Sequence, residues 1–263
     1  MNLDFMTIIG LTMGLGAIYY TMAQGGVTNL LFNRDAALLV YGGTLGSILI
    51  TYPWSVLRHA PKALYLILFP PKSENPRVII QSLVRMAELS KRAGITALQD
   101  EIKNIKSDFL VDGIQMVIDG LGADVIRENL LKEIEFVRKR HHQISGVFRS
   151  MGTYAPIFGL LGTLLGVVQV LKNITDPKAM GDSMAIAVTA TFYGIAGANF
   201  LFLPIAGKLN AHTEEELLLK EVSIEGILSI QNGDIPLLVS RRLQSFLAYR
   251  MRQKKTQISQ KAA

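Results

Sequence analysis

The 263-residue sequence has no cysteine. This excludes disulfide scaffolds and thiolate metal sites, and it fits a soluble part that faces the cytoplasm. Charge is also scarce, at 18% of residues against about 25% in an ordinary soluble domain. The shortfall sits in four uncharged stretches, Phe5–Ala23, Ala36–Trp54, Ser150–Leu171 and Ser183–Gly207. Each is close to the roughly 20 residues that a membrane-spanning helix needs. None contains a carboxylate; Asp4 and Asp35 stand only at their edges. The chain also lacks a P-loop, an HExxH, a GxGxxG and any nucleophile–base spacing, so an enzyme reading has no support and no metal site is expected. No strand-period segment of useful length and no internal repeat occur. No basic region precedes the first apolar run and LTMGLGAIYYTMAQGG offers no cleavage site, so that run is expected to be retained as a helix.

The uncharged stretches predict an all-α integral membrane protein. Residues 1–54 would hold transmembrane helices one and two, and 55–149 a cytoplasmic helical domain. Residues 150–207 would hold helices three and four, and 208–263 a helical cytoplasmic tail. The net charge of +6 is no nucleic-acid signal, because its placement follows the positive-inside rule. Of 27 Lys and Arg, 15 lie in Ser55–Arg149 and 9 from Lys208 onward, while the short connections keep only Arg34, Lys172 and Lys178. Both termini are therefore expected in the cytoplasm of a multi-pass inner-membrane protein.

Within the loop, SLVRMAELSKRAG spaces Leu83, Met86 and Leu89 for a helix that ends at Gly94. ALQDEIKNI and FLVDGIQMVIDGL continue with helical spacing. The Pro-free segment from Ala123 runs straight into the third span. In the tail, Asn232-Gly233 marks a turn and Asp234 an expected cap of a helix that starts near Pro236. Disorder is expected from about Lys254. PKALYLILFPP is too short to span; it reads as an interfacial segment near the inner headgroups or as cytoplasmic core.

The chemistry of interest lies in the third and fourth spans. Thr163 and Thr191 place hydroxyls among Leu, Gly and Ala. A helical Thr can bond the carbonyl four residues back, or it can offer its oxygen to an ion. Pro156 and Pro204 each remove a backbone donor and free a carbonyl, which leaves either a kink or a further oxygen ligand. Gly159, Gly162 and Gly166 form a small-residue face suited to helix packing, as do the glycines of GGTLGS. His141 and His142 are adjacent and so point to different helix faces, which suits a solvated basic face; Glu214–Glu216 read as a solvated helix start. Ion transport normally marks itself with an intramembrane carboxylate. Its absence means that any ion path here needs a second subunit to supply the acid.

APIFGLLGTLLGVV, TATFYGIAGANFLFLPIAGKL and EGILSIQNGDIP…LQSFL together resemble the flagellar stator A subunit, the MotA/PomA family of the MotA/TolQ/ExbB proton-channel superfamily. The likeness covers nearly the whole chain. It implies a ring-forming pentamer around a B-type partner, which supplies the membrane Asp and a peptidoglycan anchor, in contact with membrane lipid. It implies H⁺ or Na⁺ flow that turns the ring, with no bound cofactor, and a cytoplasmic loop that pushes on the rotor's switch protein. By matching positions, Pro156 and Pro204 correspond to the family's functional prolines, and Thr163 and Thr191 to its ion-path threonines. SKRAGITALQDE resembles the rotor-facing segment, with Lys91 and Arg92 at its basic positions. The family's usual Glu is Gln99 here, which moves the acidic role to Asp100 or Glu101, and Leu237 stands where the family often has Arg. Ala190 beside Thr191 gives one hydroxyl fewer than a Thr-Thr pair, which leans toward H⁺. The runner-up is an ExbB/TolQ-like subunit that energises outer-membrane transport or envelope maintenance. A membrane scaffold without ion flow is the third class.

Overall fold

The computed structural model describes residues 4–26, 28, 32–69, 75–105 and 107–246; the tail from Lys254 lies outside them. All regular structure among the described residues is helical. The elements are α1 (Phe5–Gln24), α2 (Arg34–Thr51), α3 (Trp54–Leu57), α4 (Ala60–Leu68), α5 (Pro76–Ala93), α6 (Leu98–Glu101), α7 (Asp108–Ile118), α8 (Ala123–Lys172), α9 (Pro177–Gln231) and α10 (236–246). Three helices, α1, α8 and α9, are long and apolar enough to cross a membrane. A fourth span arises if α2 and the bent segment after it count as one.

The chain divides into two compact units. The first comprises Met1–Lys72 with Arg140–His212, and the second Ser73–Lys139 with Thr213–Ala263.

The first unit has little large-residue core. Ala36, Val40, Ala155 and Ala190 form one buried cluster, and Ala63, Phe148 and Ala206 another. Backbones meet directly instead. A Cβ on Gly194 would lie 2.6 Å from the Ala155 carbonyl oxygen, and one on Gly159 would lie 3.0 Å from that of Ala190. Close approach through Gly and Ala replaces the hydrophobic drive that lipid does not supply between helices. Helix α1 has no buried residue. Two features attach it: Gly14 lies against the Phe200 ring, and Asp4 pairs with Lys208. The Asp4 carboxylate also caps α1 by accepting from the Met6 N–H at 3.0 Å.

Two wide π turns interrupt the long helices, at Leu38–Gly42 in α2 and Gly197–Phe202 in α9. The second directly precedes Pro204, which has no N–H to give the Phe200 carbonyl and whose ring would crowd it. Widening the preceding turn relieves that clash without ending the helix.

The second unit has an ordinary core. Ile79, Ile80, Leu83, Met86 and Ala87 form the buried stripe of α5 and meet Leu110 and Ile114 of α7, Ile126 and Leu130 of α8, and Ile227 of α9. Asn75 caps α5 by accepting from the Arg77 N–H at 3.0 Å, and Gly94, at φ +84°, ends it as expected. The next stretch departs from the expected helix. Residues Ile95–Asn104 break into single turns around α6, because only Leu98 and Ile102 are buried there. Gly233, at φ +68°, makes the expected tail turn. Asp234 does not cap α10. Its carboxylate accepts from Arg242 at 3.2 Å, and the Ile235 carbonyl takes the first helical bonds.

Helix α4 belongs to the first unit. It seats Ala63 on Phe148 and Ala206, with Ile144, Met151 and Ile205 around them, so it forms no part of the second unit's core.

Candidate functional site

Thr163 on α8 and Thr191 on α9 come together, and their hydroxyls share a hydrogen bond. Each also reaches two backbone carbonyls. Thr163 Oγ1 lies 3.2 Å from the Gly159 oxygen and 3.4 Å from that of Ala187. Thr191 Oγ1 lies 3.4 Å from both of the same oxygens. The local back-bond and the cross-helix contact therefore coexist. Gly159 permits this, because its missing Cβ would otherwise sit 3.2 Å from the Thr191 Cα.

The four oxygens have two hydroxyl protons between them and many more lone pairs. Such a cluster is acceptor-rich and neutral. It can take a proton donor or a hard cation, but it holds no group that titrates near neutral pH.

Pro156 lies close by, with its Cα 3.1 Å from where a Gly194 Cβ would stand. Pro204 does not join the cluster; it stands about 20 Å farther along α9 at about 1.5 Å per residue. Ala190 is fully buried and packs its methyl on Gly162. Other hydroxyls that sequence reasoning missed tie the same unit together. Tyr193 accepts from the Asn33 N–H at 3.1 Å, Tyr52 bonds Ser150 at 2.9 Å and Tyr154 bonds Thr51 at 3.2 Å. These pairs are 98 to 160 residues apart in sequence, and no local motif signals them.

In the second unit, Lys91 and Arg92 sit exposed on the last turn of α5. Neither has an ion-pair partner among the described residues. The two acids are already engaged. Glu101 faces Arg85 through two contacts of 3.3 Å. Asp100 accepts from Lys103 at 2.7 Å, and that hydrogen bond and charge hold its carboxyl below the usual range. Gln99 donates to the Gln115 side chain at 3.4 Å. Asp100 and Glu101 are therefore already partnered, whereas among the described residues the basic pair is not. No group of three or more His, Asp or Glu suited to a metal occurs among the described residues.

Residues 101–222 match the model of the MotA/TolQ/ExbB proton channel family. The chain is 35% identical to chemotaxis protein PomA of Vibrio alginolyticus over 93% of its own length and 96% of that protein's. It is 33% identical to motility protein A of Treponema pallidum, covering 95% and 96%. The solved flagellar MotAB stator complex from Bacillus subtilis contains a chain that matches with a TM-score of 0.86 at 29% identity, over 94% of this chain and 97% of that one.

Proposed function

The chain belongs to the MotA/PomA family of the MotA/TolQ/ExbB proton channels and is a stator subunit of the flagellar motor, and from that premise we propose how its residues serve ion-driven rotation. The neutral oxygen cluster of Thr163 and Thr191 carries the reading. It offers an arriving ion or protonated acid a polar stop inside an apolar helix pair, and it has no charge of its own with which to trap it. A partner carboxylate must supply the charge, since a bare ion is costly at this depth. A B-type subunit would provide that acid and the peptidoglycan anchor, with five copies of this chain ringed around it. Protonation or ion loading of the acid beside Thr191, followed by release, would advance the ring by one subunit.

Four membrane spans with both termini in the cytoplasm complete the proposal. The Asp4–Lys208 pair supports it, because it puts the start of α1 and the exit of the last span at one end of the unit. Pro156, one helical turn from the cluster, would set the shape of the path; Pro204 would act at the exit of the span. Lys91 and Arg92, exposed and without an ion-pair partner among the described residues, would meet an acidic surface of the rotor switch protein, while Asp100 and Glu101 stay engaged within the chain. No bound cofactor is needed.

Deleting the gene is expected to leave assembled but paralysed flagella. Normal swimming in a deletion strain with no second stator set would sink the proposal. Matching along almost the whole of the motility proteins favours this reading over an ExbB/TolQ-like subunit. Copurification with a TonB-like partner would reverse that preference.

A further inference from the structure

We propose that the elbow formed by α3 and α4 binds anionic phospholipid headgroups of the leaflet in which α2 ends; this rests on the membrane-subunit reading above.

After Thr51 the chain turns by 119° at Tyr52-Pro53. If α2 stands across the bilayer, α4 then lies near the membrane plane. The inner face of α4 is occupied, with Ala63 and Ile67 buried. Its outer face is apolar as well. Tyr65 is 50% exposed, and Leu64 and Leu66 are also exposed. Trp54 is 71% exposed at the bend, and Ile50, in the last turn of α2, is 90% exposed. Water does not suit such a face, whereas a bilayer interface takes Trp, Tyr and Leu readily.

The same turn carries Arg58, His59 and Lys62, all exposed. The Arg58 Nε–H donates to His59 Nε2 at 3.3 Å, which keeps the two side chains together at the start of α4. Neither Arg58 nor Lys62 has a carboxylate partner among the described residues, and the sequence has no Asp or Glu between Asp35 and Glu74. Exposed Arg149 follows Phe148, against which α4 packs. Uncompensated cations thus stand at headgroup depth between two aromatic anchors. A phosphate with net negative charge complements them. A zwitterionic headgroup brings its own ammonium into the same space.

The test uses the full chain purified with its B-type partner in nanodiscs of equal parts phosphatidylcholine and phosphatidylglycerol, with native mass spectrometry of the retained lipid. Phosphatidylglycerol should be retained in excess. Each juxtamembrane cation is worth roughly fivefold in headgroup preference at moderate salt, so Arg58→Gln with Lys62→Gln should reduce the excess by on the order of 25-fold. Arg58→Lys with Lys62→Arg should restore it, and Lys172→Gln with Lys178→Gln, in the connection between the last two spans, should leave it unchanged. Equal retention of the two lipids by the unmodified complex would overturn the proposal, even if the Gln variant fails to assemble. An unaltered excess in an assembled Gln variant would do the same, as would displacement of the lipid by inorganic phosphate. Absence of any lipid preference in the unmodified complex, while that complex still rotates flagella, would refute the headgroup site alone. A deletion strain that swims would refute the stator reading alone.

Discussion

At the scale of single residues, the Thr163–Thr191 contact depends on what its neighbours lack. Gly159 and Gly194 have no Cβ, so α8 and α9 approach until backbone meets backbone and two hydroxyls face the same pair of carbonyls. Thr191→Val keeps the shape and removes only the oxygen. The variant should assemble with its partner yet swim no better than a strain without the gene, while Thr191→Ser should retain most motility. Pull-down of the partner and soft-agar spreading check the two halves of that expectation, and full spreading by Thr191→Val would remove the hydroxyl from the ion path. Both threonines were legible in the sequence because a hydroxyl among Leu and Gly is conspicuous. Their mutual contact was not, since it depends on the register of two helices. The engagement of Asp100 and Glu101 was equally hidden. An exposed acid and a held acid look alike in sequence, and only the placement of Lys103 and Arg85 separates them.

Among the elements, α1 is held by few side chains. It buries nothing, so its capping and ion-pair contacts at Asp4 and Thr7, together with the Gly14–Phe200 contact, attach it to the unit. The Lys208 hydrogen bond and charge hold the Asp4 carboxyl below its ordinary value, against a desolvation cost that works the other way. A depressed folded-state pKa stabilises above the unfolded value, and that contribution is lost as pH falls from about 4 through the folded value. Asp4→Asn keeps a capping oxygen and removes the charge. It should lower stability by about 1 kcal/mol at pH 7 and flatten the loss of stability below pH of about 4. Thermal melts of the purified complex across pH check this, and an unchanged acid limb would refute the clamp. Helix existence was legible wherever the apolar period was long, as in α5 and α8, and so were the glycine stops at Gly94 and Gly233. The collapse of Ile95–Asn104 into single turns was not. Its apolar spacing looks helical, but too few of those side chains find a core to hold a longer helix.

At the scale of the whole molecule, the proposed rotor contact rests on the exposed pair Lys91 and Arg92. Lys91→Glu with Arg92→Glu should leave the complex assembled and conducting while cutting swimming speed severely. A compensating reversal on the rotor's acidic face should restore part of it, and undiminished speed in the double variant would place the contact elsewhere. The coupling ion is also a property of the assembly. We propose H⁺, because the site has two hydroxyls and Ala190 is committed to packing on Gly162. Swimming speed should then be indifferent to external Na⁺ at fixed pH, and speed that rises and saturates with Na⁺ would assign the other ion. Helix α9 serves two directions at once, with Thr191 turned to α8 and Lys208 turned to α1. A π turn is a helix with one surplus residue, and each residue of an α-helix advances the azimuth by about 100°. The surplus residue within Gly197–Phe202 therefore sets the angular phase between Thr191 and Lys208. Without it, the lysine that secures the first helix would point about a quarter-turn away, and no change of side chain could bring it back.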